Sequence, residues 1–212
     1  MMSDEVKPFS KVAVLYGGSS SEREISLITG KAVFDSLQLK GINAILIDTI
    51  EPFIEALKTE RVTHAWIALH GSDGEDGKIQ SILNMLNIIY TGSDPITCSI
   101  TMNKYFTKSI LQSNGFKTPE YMVVGSSTKY EDIVNKLNEP FVLKQCSEGS
   151  SIGIFMIQSR EQYSAHFSEI VKNNDWIIAE QFMKGDEYTS TYLNGKALPN
   201  VKIKAKNHTY SS

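Results

Sequence analysis

The chain is 212 residues long, with 41% hydrophobic and 21% charged residues, a balance that suits a folded protein of one or two domains and excludes a disordered one. Its formal net charge of −3 gives no basic field for a nucleic-acid backbone, and its apolar runs, such as 65–69 and 176–179, are strand-sized and too short to cross a bilayer. The opening MMSDEVKPFS lacks the apolar core and small-residue cleavage site of a secretion signal, so the expected compartment is the cytoplasm. Cys98 and Cys146 share no metal-ligand spacing and read as small packing residues.

In chain order, the pattern predicts a strand from Lys11 to Tyr16, a Gly/Ser turn to Glu24, and a helix that Gly41 stops. A strand from Ala44 to Asp48, a short helix with Pro52 in its first turn and a strand from His64 to Leu69 follow. Ile79, Ile82, Leu83 and Leu86 repeat at helical spacing before a strand from Ile88 to Tyr90. Strands with continuous apolar runs, alternating with helices, predict an α/β domain with a parallel sheet whose ligands gather at the C-terminal strand ends. From the N-cap Asp94, one long bridging helix is expected to run to Gly115.

Beyond Pro119 the expected elements are strand 121–124, helix 130–137, strand 141–145, a Gly/Ser loop, strand 154–157, helix 161–172 and strand 176–182. Here the glycine-rich loop turns one strand straight into the next, so it does not open a helix as a Walker P-loop does. The segment 188–204 reads as two strands joined at Asn194-Gly195, a strong hairpin turn.

Four stretches carry chemistry. Ser147 to Gly153 offers glycines and three serine hydroxyls that suit a phosphate cradle, with Lys144 just ahead of it and Lys104 on the bridging helix as further positive charge, although a flexible Gly/Ser hairpin loop has the same composition. His70 to Gly77 places an imidazole and three carboxylates on a turn, which suits a small polar ligand or an acidic turn bonded to its own backbone; the spacing does not fit an EF-hand. Gly17 to Glu24 lacks the GxGxxG spacing of a dinucleotide site, and Glu22 is either an anchor for a substrate ammonium or a structural group. Glu180, Gln181, Phe182 and Met183, with Glu187 beyond, offer an apolar slot and polar edges for a nucleoside, or plain core.

Taken in order, these motifs resemble the D-alanine:D-alanine ligases of the ATP-grasp superfamily, from Lys11 onward. HGSDGEDGKIQS looks like the family's HGxxGEDGxxQ, GGSSSEREIS like GGxSxEREVS, MNK like MDK and KQCSEGSSIG like KPxxEGSSxG. The resemblance implies a Rossmann-like, pre-ATP-grasp N-terminal substrate domain over 1–98, an α+β ATP-grasp central subdomain over 99–185, and the start of a second, truncated subdomain over 186–212. It implies Glu22 and Ser150 as the catalytic pair, Glu22 holding the ammonium of the first D-alanine with Ile25 and His70 shaping its pocket. It further implies Lys104, Lys144, Ser150 and Ser151 at the ATP phosphates, Glu180, Gln181, Phe182 and Met183 at adenine, and Glu187 at the ribose. The implied reaction forms D-alanyl-D-alanine through an acyl phosphate, for peptidoglycan precursors, in a homodimer with Mg2+ or Mn2+.

Gln145, Cys146, Ser147 and Gln181 depart from residues common in that pattern. The family's mobile Lys-Tyr loop, transition-state arginine and magnesium ligands fall beyond the position of Ser212, so no metal ligands are expected within the 212 residues and the activity of this polypeptide stays open. A non-catalytic nucleotide-binding remnant and a D-alanine:D-lactate or D-serine ligase are the alternatives.

Overall fold

The computed structural model describes residues 11–149, 153–171 and 176–204, so Ser150 and Ser151 lie outside the described residues. It divides into two compact units, 1–107 and 108–212.

The first unit opens with Val12–Tyr16 (β1), Arg23–Leu39 (α1), Ala44–Asp48 (β2), Phe53–Thr59 (α2) and His64–Ile67 (β3). Lys78–Met85 (α3), Ile89–Tyr90 (β4), Pro95–Met102 (α4) and Lys104–Ser113 (α5) follow, with the division between units falling inside α5. The strands pair in parallel in the order β2-β1-β3-β4. The continuous apolar run of β1 is explained by burial: Ala13, Val14 and Leu15 are all inaccessible, with α1 packed on β1 and β2 and α3 on β4. The chain leaves β1 toward β2 on one side and returns to β3 on the other. The crevice of this sheet therefore lies at the C-terminal ends of β1 and β3, where the loops after Tyr16 and Ile67 emerge.

The single bridging helix is corrected to two. Asn103 adopts an extended backbone, and its Oδ1 accepts from the amides of Tyr105 and Phe106, so it ends α4 and caps α5. Asp94 caps α4 as expected, accepting from the amides of Ile96 and Thr97.

The second unit holds Tyr121–Val124 (β5), Tyr130–Leu137 (α6), Phe141–Gln145 (β6), Ile154–Ile157 (β7), Arg160–Ile170 (α7) and Ile177–Gln181 (β8). Its sheet is antiparallel in the order β5-β8-β6-β7, over a core that includes Phe141, Leu143, Ile157 and Ile133. Glu187–Thr189 (β9), Tyr192–Leu193 (β10), Lys196–Ala197 (β11) and Val201–Ile203 (β12) form two nested ladders in place of the two strands expected. Asn194 and Gly195 both take positive φ, as the tight hairpin demands. Pro199 has no amide to donate, and pairing stops on either side of it.

Candidate functional site

In the first unit, the loops after β1 and β3 are tied together by their own polar groups. Ser26, fully buried, accepts from the Gly17 amide at 2.9 Å and donates to the Ala68 carbonyl at 2.7 Å. Ser20 Oγ donates to the His70 carbonyl at 2.7 Å, and Ser19 Oγ to Asp73 at 2.8 Å. Arg23 clamps both carboxylate oxygens of Asp48, whose Oδ1 also accepts from the Gly18 amide. That hydrogen-bonded guanidinium, more than any other group, holds the Asp48 carboxyl down at about 2 against the cost of partial burial.

This frame gathers Glu22, Ile25 and His70. Glu22 sits at the residue before α1 without capping it through its side chain, and a side chain at Gly71 would begin 2.9 Å from its carboxylate, so glycine with φ +68° lets the second loop approach it. Ile25 is one turn onward and 55% exposed, and His70 Nε2 lies 3.2 Å from Thr29 Oγ1 one turn beyond that. Asp73 and Asp76 take the structural alternative: both pair with Lys78, and Asp76 accepts from the amides of Asp73 and Lys78. His70 and Glu75 border a cleft of about 470 Å³ with Thr91, Cys98 and Thr101. Lys104, half-buried, opens α5 in the same unit.

In the second unit, a cleft of about 490 Å³ brings together Lys144, Glu180, Gln181, Phe182, Met183 and Glu187, walled by Pro119, Val142 and Ile154. Lys144 and Glu180 arrive from neighbouring strands β6 and β8, while the residues after β8 form the rim. Phe182 is 39% and Met183 62% exposed, so the apolar slot is open rather than core. Glu180, by contrast, is buried and its carboxylate is occupied: Oε1 accepts from Lys108 at 2.7 Å and Oε2 from Lys144 at 2.5 Å. Burial opposes its charge, but the hydrogen bonds from the two lysines prevail and its pKa is lowered. The strand β6 pairs antiparallel with β7, and the Gln145 amide is bonded to the Gly153 carbonyl.

A family model described as the D-ala D-ala ligase C-terminus matches residues 110–211. D-alanine:D-alanine ligase B of Pseudomonas putida is 38% identical over 199 residues, which is 94% of this chain and 63% of that protein. The ligase of Nitrosospira multiformis is 39% identical over 202 residues, 95% of this chain and 66% of its own length. The crystal structure of the Bacillus anthracis ligase superposes with a TM-score of 0.83 at 30% identity, covering 92% of this chain and 64% of that one. The chain belongs to the D-alanine:D-alanine ligase family. It spans less than two thirds of the length of these curated relatives, 63% and 66%. The structure of the Bacillus anthracis ligase complexed with ATP matches with a TM-score of 0.82 at 28% identity.

Two site-building residues of this ligase-family chain escaped the sequence reading. Lys108, 6% exposed, bonds Glu180 and the Thr118 hydroxyl and lies 5.0 Å from the Tyr121 ring centre. Its one signal was helical spacing, four residues after Lys104. Asp48 had only its place at a strand end facing the arginine of the first loop. Of the departures from the family pattern, Gln145 and Cys146 are buried packing residues.

Proposed function

We propose that this chain carries the amino-acid anchor and the nucleotide grip of an ATP-dependent ligase joining two D-alanines for peptidoglycan precursor synthesis. The observation that carries this reading is the second-unit cleft, where a strand-end lysine, an open apolar slot and a terminal carboxylate line one space in a chain of this family. Phe182 and Met183 take the adenine faces, Gln181 its edge, and Glu187 the ribose hydroxyls. Lys144 and Lys104 are assigned to the phosphates, with Ser150 and Ser151 as hydroxyl donors. Glu180 serves by holding Lys144. Glu22, with Ile25 and His70 around it, is assigned to the ammonium of the first D-alanine, and Ser150 to Glu22.

In the proposed reaction the γ-phosphoryl of ATP passes to the carboxylate of one D-alanine, leaving ADP. The amine of the second attacks the acyl phosphate, loses a proton, and phosphate departs as the amide forms. The chain's own residues contribute alignment and positive charge, which is most of what phosphoryl transfer asks of a protein. The family implies a divalent metal that neutralises the polyphosphate. Among the described residues no group of three His, Cys, Asp or Glu side chains gathers to hold one, so these residues do not fit the metal. A cytoplasmic homodimer belongs to the same proposal; among the described residues no helix is long and apolar enough to cross a membrane.

Calorimetric titration with ATP tests the nucleotide site: Lys144→Ala is expected to weaken binding by about tenfold or more, and equal binding by both proteins contradicts the assignment. D-Alanine is expected to raise the unfolding midpoint of the wild type and not of Glu22→Gln, with L-alanine inert in both. D-Alanine-dependent phosphate release by the 212-residue polypeptide is expected to be negligible, and robust turnover overturns that expectation.

A further inference from the structure

Lys108 is a costly residue. A buried ammonium loses its hydration, and the compensation comes from Glu180 Oε1 at 2.7 Å, Thr118 Oγ1 at 2.6 Å and the face of Tyr121 at 5.0 Å. It does not line the cleft, whereas Lys144, on the other oxygen of the same carboxylate, does. The side chain of Lys108 is 8% exposed, that of Glu180 10% and that of Lys144 25%. The trio thus runs from the interior to the cleft, with its outermost charge on Lys144.

Two ammonium groups share one carboxylate, so the trio carries a formal surplus of one positive charge. Where that surplus sits depends on Lys108. With Lys108 present, Glu180 divides its oxygens, and Lys144 spends one of its three N–H donors on Oε2 while keeping the others for an anion. Without Lys108, the whole carboxylate charge falls on Lys144, and the pair facing the cleft becomes neutral.

We infer that Lys108 is a positioning residue for polyphosphate: by holding one oxygen of Glu180 it keeps Lys144 both oriented and electrically unsatisfied at the mouth of the nucleotide cleft. This rests on the proposed nucleotide reading of that cleft and deepens it. Lys108 touches no nucleotide and acts only through Glu180. Its effect therefore falls on the charged end of the ligand and spares the nucleoside.

The test titrates the 212-residue protein with ATP and, in parallel, with adenosine. Lys108→Met is expected to lower ATP affinity about tenfold while adenosine affinity stays within about twofold, and the salt dependence of ATP binding should become shallower. The double variant Lys108→Met/Glu180→Gln removes both buried charges and leaves Lys144 unopposed, and it is expected to recover most of the lost ATP affinity. The double variant also keeps the test decisive if the single one fails to fold, because removing both members of a buried pair is tolerated better than stranding one. Unchanged ATP affinity in Lys108→Met, parallel loss of ATP and adenosine, or a folded double variant whose ATP affinity stays about tenfold below that of the wild type overturns the inference. No ATP binding by the wild type removes the nucleotide reading and this inference with it, whereas wild-type binding that Lys108→Met leaves untouched removes the inference alone.

Discussion

Arg23 and Asp48 show how one ion pair can shape a loop. The guanidinium reaches back to the Gly18 carbonyl at 2.9 Å while gripping both oxygens of Asp48, and Asp48 in turn accepts from the amides of Gly18 and Ile50. Because the Asp48 carboxyl is depressed to about 2 in the folded chain, its contribution is fully present above the ordinary carboxylate range and disappears as pH falls through about 2. Asp48→Asn is expected to lower the unfolding midpoint by about 3–6 °C near neutrality. The gap between variant and wild type should close as the pH is taken from about 4 toward about 2; a gap constant with pH counts against this account. In the sequence, Glu22 is either a substrate anchor or a structural group, and Arg23 beside it is a charge whose partner has no name. That partner, Asp48, comes from β2, a strand more than twenty residues away, which local spacing does not reveal.

At the scale of elements, α1 lies against β1 through a glycine. A side chain at Gly30 would place its first carbon 2.4 Å from the Cβ of Tyr16, so the helix sits where only hydrogen fits. Gly30→Ala therefore sets a helix-propensity gain of about 1 kcal/mol against an overpacking cost of roughly 1–3 kcal/mol. The expected outcome is a net loss, read as a lower urea midpoint with an unchanged slope; a stabilised variant would sink the packing argument. The buried strands were legible because their apolar runs are continuous, as in β1 and β8, and Asp94 was legible as a cap because cap chemistry is local. The break at Asn103 was missed because Met102, Phe106 and Ile110 keep helical spacing across it, although Phe106 and Ile110 remain exposed. The ladders β9 to β12 were seen only in outline, since strands exposed on all sides leave no alternation to read. Lys108 was passed over for a related reason: a lysine on a helix looks solvated until the neighbouring sheet is known.

For the molecule as a whole, each unit has its own sheet and its own apolar core, one around Leu15, Leu57 and Leu83, the other around Phe141, Leu143 and Ile157. The residues proposed for the amino acid, Glu22, Ile25 and His70, fall in the first unit, and those lining the cleft proposed for the nucleoside fall in the second, so under that proposal the two ligands are expected to report on different parts of the chain. Burial is distributed unevenly. From Gln181 to Lys204 every residue is exposed, including Tyr192, Leu193 and Val201. Trypsin needs a stretch of backbone that can leave its surroundings cheaply, and this is where the chain offers one. First cuts are expected at Lys184, Lys196 or Lys202, giving a resistant product that retains β8, while sites in the buried strands survive far longer. If ATP lodges against Phe182, Met183 and Glu187, it should slow the cut at Lys184 in particular, and mass spectrometry of early digests with and without nucleotide would show that scissile bond being shielded.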